Sequence, residues 1–84
     1  MKHATETALD RIEPLLREVR RIPGLVERKR GIWYRESSGF LHFHEDPAGL
    51  FADLKIAGDF ERFRVSTGAE QRAFLRRLRA TLAS

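Results

Sequence analysis

The sequence predicts an α+β domain: a four-stranded antiparallel meander with an N-terminal and a C-terminal helix packed on one of its faces. Three observations carry this expectation. Apolar residues recur at spacings of three and four at both ends of the chain, as one face of a helix requires. Between them, from Leu25 to Val65, the period changes to two. The alternating segments are short and each is closed by turn-forming residues. With 84 residues there is material for one domain, 1–84, burying roughly 60–65% of its unfolded surface.

In the first segment Leu9, Ile12, Leu16 and Val19 share a stripe with Leu15 beside it, while Arg11, Arg17, Glu18, Arg20 and Arg21 fall elsewhere on the wheel. Pro14 lies inside the pattern. It either kinks the helix or occupies the first turn of a shorter helix starting near Glu13, because its ring removes a backbone donor. Ile22-Pro23-Gly24 ends the segment. The last segment opens with Thr67-Gly68-Ala69-Glu70, a Thr with Glu three residues on, which forms a capping box. Phe74, Leu75, Leu78 and Leu82 then share one face, and Arg72, Arg76, Arg77 and Arg79 point away from it.

The expected strands cover residues 32–35, 40–45, 50–56 and 60–65, which are rich in aromatic and branched side chains. Asp46-Pro47-Ala48-Gly49 has the composition of a type I turn. A turn centred between Pro47 and Ala48 sets His44 opposite Phe51 and His42 opposite Asp53. A two-residue Ala57-Gly58 turn sets Asp53 beside Arg62, Phe51 beside Arg64 and Ala52 beside Phe63, so Phe63 and Val65 join the core. Before the first of these turns the parity is open. An even loop through Ser37-Ser38 places Trp33 across from His42 and sends Ile32 and Tyr34 inward, whereas a three-residue loop with a bulge at Gly39 buries Trp33. The even loop is preferred here. One sheet face is then apolar, and the other bears Trp33, Arg35, Phe40, His42, His44, Phe51, Asp53, Arg62 and Arg64. That second face is the candidate functional surface, because an exposed aromatic patch marks an interface or a ligand groove.

His42 and His44, two apart on a strand, stand about 6.5–7 Å apart on one side, a workable spacing for two imidazoles on one metal, with Asp53 as third ligand. Pairing of Asp53 with Arg62 competes with that use. The same residues suit acid–base chemistry, with His42 titrating near neutrality and Asp53 orienting it, and so a hydrolytic site. No nucleophile accompanies them, since Ser37 and Ser38 are explained by their turn. Cysteine is absent, which removes disulfides, thiolate catalysis and thiolate metal sites. No cofactor is expected beyond a divalent metal at His42, His44 and Asp53.

Sixteen basic residues against 12 acidic ones leave a formal charge of +4. This suits a polyanion, and the arginines with an aromatic face suit nucleic acid, although any surface helix carries such charges. No apolar run approaches the ~18 residues of a membrane span, and the start MKHATETALD lacks the apolar stretch of a secretory signal. A cytoplasmic location without membrane contact is expected. Self-association of the aromatic faces as a two-fold homodimer needs the fewest assumptions. Nucleic acid is the alternative partner.

The stretch from Gly31 to Lys55, with Tyr34-Arg35 and Phe40-Leu41-His42-Phe43-His44-Glu45-Asp46-Pro47, resembles a group of uncharacterised small bacterial proteins over about two-thirds of the chain. The resemblance implies no activity. The plan of helix, antiparallel sheet and helix is also loosely similar to that of the MmcQ/YjbR-like proteins, in arrangement and without a shared motif. For those proteins DNA binding has been proposed, and fold-level likeness does not transfer it.

Overall fold

A computed structural model describes residues 2–83. The order of elements is β1 (Lys2–His3), α1 (Glu6–Arg11), α2 (Glu13–Arg20), β2 (Val26–Lys29), β3 (Ile32–Arg35), β4 (Ser38–Asp46), β5 (Gly49–Ile56), β6 (Asp59–Arg64) and α3 (Gly68–Ala83). The fold is α+β, with an antiparallel sheet and helices on either side of it in the chain. The sheet has six strands rather than the expected four, in the order β2-β3-β4-β5-β6, with β1 paired to the far end of β4. Among the described residues no helix is long and apolar enough to cross a membrane.

The N-terminal helical stripe is divided. α1 starts after Thr5, whose Oγ1 accepts from the Ala8 N–H at 3.2 Å. The chain leaves helical geometry at Ile12 (φ −116°), and α2 begins with Pro14 in its first turn, where the missing donor does no harm. Both pieces still present one apolar side, with Leu9, Ile12, Leu15, Leu16 and Val19 buried. α3 carries the expected capping box: the Glu70 N–H donates to Thr67 Oγ1 at 3.1 Å and the Thr67 N–H to Glu70 Oε1 at 3.0 Å.

Register follows from the turns. In β4–β5 His44 faces Phe51 and His42 faces Asp53; in β5–β6 Asp53 faces Arg62, Phe51 faces Arg64 and Ala52 faces Phe63, all as expected. The Ala48 N–H donates to Asp46 Oδ1 at 2.7 Å inside the first turn. Ala57 (φ 53°) and Gly58 (φ 90°) both take the left-handed backbone that a tight hairpin needs.

The β3–β4 hairpin differs from expectation. Its two turn residues are Glu36 (φ 51°) and Ser37 (φ 68°), with Arg35 opposite Ser38. That turn alone would set Trp33 against Phe40. Instead Tyr34 pairs with Gly39 and Trp33 with Leu41, so Phe40 is the extra residue of a bulge. One added residue reverses the parity of β3. Trp33, expected on the open face, is 1% exposed and meets Phe43 edge-on at 5.9 Å. Ile32 and Tyr34, expected inside, alternate with it on the opposite side. Phe40, also expected on the open face, is drawn into the buried cluster at 4% exposure, with the Arg35 guanidinium over its ring.

The core lies between this face and the helices. Phe43 meets Phe74 of α3 at 6.1 Å, and Phe74 meets Phe63 of β6 at 5.7 Å. Leu41, Ala52, Leu54 and Val65 are fully enclosed around them. Each large side chain buried this way contributes roughly 1.5–3 kcal/mol. Arg30 bonds Glu6, Asp10 and Glu13, and Arg20 bonds Glu13 and Glu27, which ties α1 and α2 to the β2–β3 hairpin. The two guanidiniums hold the Glu13 carboxyl at about 2, with Arg30 the larger cause.

Candidate functional site

The helices leave the other face of the sheet uncovered, and that face carries the candidate residues. Strand pairing alone places His42 beside Asp53 and Asp53 beside Arg62. Asp53 is 7% exposed, the one buried charged residue among those described. Arg62 grips it with both arms, Nε to Oδ1 at 2.8 Å and Nη2 to Oδ2 at 2.9 Å. This bidentate pair holds the Asp53 carboxyl below the usual carboxylate range.

His44 turns toward the same carboxylate, with Nε2 at 3.2 Å from Asp53 Oδ2 and at 3.0 Å from His42 Nδ1. Ionised Asp53 is acceptor-only, so the proton facing it resides on His44 Nε2 and His42 Nδ1 presents a lone pair to it. Burial lowers the pKa of both imidazoles; at His42 the neighbouring His44 adds to this, and at both rings Asp53 opposes it. The pair is therefore neutral near pH 7. The other nitrogen of His44, Nδ1, is buried and has no hydrogen-bond partner among the described residues, while the Lys2 backbone pulls the pKa of the ring upward.

A third histidine joins them. The Ala4 N–H donates to the Phe43 carbonyl and the Thr5 N–H to Glu45 Oε1, which docks β1 along the end of β4 with His3 opposite His44. The His3 ring stacks on that of His44 (centroids 5.2 Å, planes 12° apart) and stands edge-on to His42 at 6.1 Å. The chain has three histidines, and all three meet here. His3 had no place in the sequence-based site, because a two-residue strand leaves no periodicity to read. The convergence of every histidine in a chain this short is visible only after pairing.

Around this cluster the face is aromatic and cationic. Phe60 packs on His42 at 4.7 Å and is 47% exposed. Lys55 lies over Phe60, Arg64 over Phe51 and Arg28 over Tyr34. Arg64 also reaches Glu70 at 3.3 Å. Of the nine residues expected on this face, His42, His44, Phe51, Asp53, Arg62 and Arg64 stand together on it, while Trp33 and Phe40 belong to the core and Arg35 lies over the Phe40 ring. The hollows beside Lys2, Glu45, Asp46 and Pro47 and between Phe40, Lys55 and Thr81 have none of the histidines among their described lining residues. The hydroxyl of Ser38 accepts from Lys55 and that of Ser66 serves Leu50, so each has a structural partner. Comparison of the chain with protein-family models, curated proteins and solved structures matches none of them.

Proposed function

We propose that this chain is a small binding domain that works through the open face of its sheet, and that a second copy of the chain is its first partner. The observation that carries this reading is the composition of that face. Rings and guanidiniums are the side chains over-represented in protein interfaces, and here Tyr34, Phe51 and Phe60 alternate with Arg28, Arg62, Arg64 and Lys55 on the side that no helix covers. Phe60 at one edge and Val26, 57% exposed, at the other supply apolar contacts. A two-fold axis through the face would give each copy the same complementary surface.

Light scattering over a concentration series from micromolar to millimolar tests it. Dimer is expected, with Phe60→Ser shifting the midpoint toward monomer. A monomer at every concentration ends the reading. Nucleic acid is the second reading, favoured by cations interleaved with stackable rings on one face. Binding of labelled single-stranded DNA that weakens as salt rises supports it, and affinity indifferent to salt removes the phosphate contribution.

A further inference from the structure

We infer that His42, His44 and Asp53 bind one divalent transition ion of the zinc class, with β1 as the element that orients the site. This goes beyond the partner reading and does not depend on it. His42, His44 and Asp53 each offer one ligand atom, a ring nitrogen or a carboxylate oxygen, and these atoms lie within 4.8 Å of one another. Two of the three separations are 3.0 and 3.2 Å. Ligand atoms at 2.0–2.1 Å from a tetrahedral ion are roughly 3.3 Å apart, so two edges of a coordination polyhedron stand near their final length. The same three atoms now converge on a single hydrogen, that of His44 Nε2. An ion at that point replaces one shared proton with a doubly charged centre, and the proton has a place to go.

That place is His44 Nδ1. With Nε2 on the metal, Nδ1 becomes the N–H, and it is this nitrogen that is buried without a hydrogen-bond partner among the described residues, on the residue that β1 pairs through His3. A metal-bound imidazole donating its other N–H to a backbone carbonyl is the usual outer support of such sites. His3, stacked on His44, limits rotation of that ring. Arg62 holds Asp53 Oδ1 through Nε and shares Oδ2 through Nη2. Its charge opposes the ion and weakens affinity, and it fixes the carboxylate in place. Two imidazoles with one carboxylate favour Zn²⁺ and Co²⁺ over Mg²⁺ and Ca²⁺.

The test is titration of the full chain with Zn²⁺ by calorimetry and with Co²⁺ by visible absorption, alongside sedimentation so that association is read separately. One ion per chain and intense Co²⁺ bands are expected. His44→Gln and Asp53→Asn, each checked for folding by circular dichroism, abolish the bands, and His3→Ala weakens Zn²⁺ binding by roughly 10-fold, the scale of an outer-support loss. Nitrogen NMR of the histidines is expected to show the His44 proton on Nδ1 in the zinc form. No saturable heat and no Co²⁺ bands overturn the inference, as does unchanged affinity in folded His44→Gln protein. Metal binding by a monomer leaves this inference standing and ends only the self-association reading.

Discussion

Replacing Asp53 by Asn probes the buried charge at the centre of the sheet face without changing its volume. The carboxylate accepts two hydrogen bonds from Arg62 and one from His44 Nε2. Asparagine keeps one acceptor oxygen, and its amide group then meets either the Arg62 Nη2 donors or the His44 N–H. A charge-assisted bond contributes about 1.5–3 kcal/mol when buried. Asp53 is enclosed but the Arg62 side chain is 49% exposed, so solvent screening reduces the loss to about 1–2 kcal/mol. For a domain of this size that lowers the thermal midpoint by roughly 4–16 °C. The assay is thermal unfolding followed by fluorescence of Trp33, which is buried against Phe43, with Arg62→Ala and the double variant completing a cycle. A coupling energy near zero, or a midpoint unchanged by Asp53→Asn, would refute the view that this pair organises the face.

Stability should fall as the solution is acidified below about 6.5, the ordinary histidine value. His42 and His44 have lowered folded values, so below that pH the unfolded chain takes up protons that the folded one refuses. Their contribution is complete above about 6.5 and is lost on acidification, at no more than about 1.4 kcal/mol per pH unit for each ring; a urea midpoint flat from pH 7.5 to 5 in wild type would contradict this. Asp53 acts in the same direction at lower pH, its stabilisation being lost as the pH drops through its depressed value. Gly49→Ala is expected to destabilise by about 1–3 kcal/mol, the scale of a strained backbone, because φ is +142° and the new Cβ would lie 2.5 Å from Ser66 Oγ; an unaltered urea midpoint would show that β6 and the Ser66 loop yield freely.

Local chemistry made the centre of the sheet legible. Asp46, Pro47 and Gly49 define one turn, Ala57-Gly58 defines the next, and a side-chain period of two carries the register outward from each. The pairing of His42 with Asp53, and of Asp53 with Arg62, needs nothing more. The first hairpin had two admissible parities, and local sequence did not separate them. Its bulge at Phe40 turns Trp33 into the buried cluster, edge-on to Phe43, and burying an indole outweighs the ladder bond that a bulge forfeits. β2 escaped notice because Val26-Glu27-Arg28-Lys29 is charged, as a sheet edge commonly is, and acquires strand geometry only by pairing with β3.

By itself, then, the sequence determined two amphipathic helical stripes, the turns, and the row of His42, Asp53 and Arg62 across three strands, because each depends on neighbours a few residues away. Tertiary structure alone decided that Trp33 and Phe40 lie inside, and that His3 crosses some forty residues of chain to stack on His44. Those placements are resolved by competition for buried volume and by strand pairing at long range, and neither leaves a periodic trace in the residues concerned.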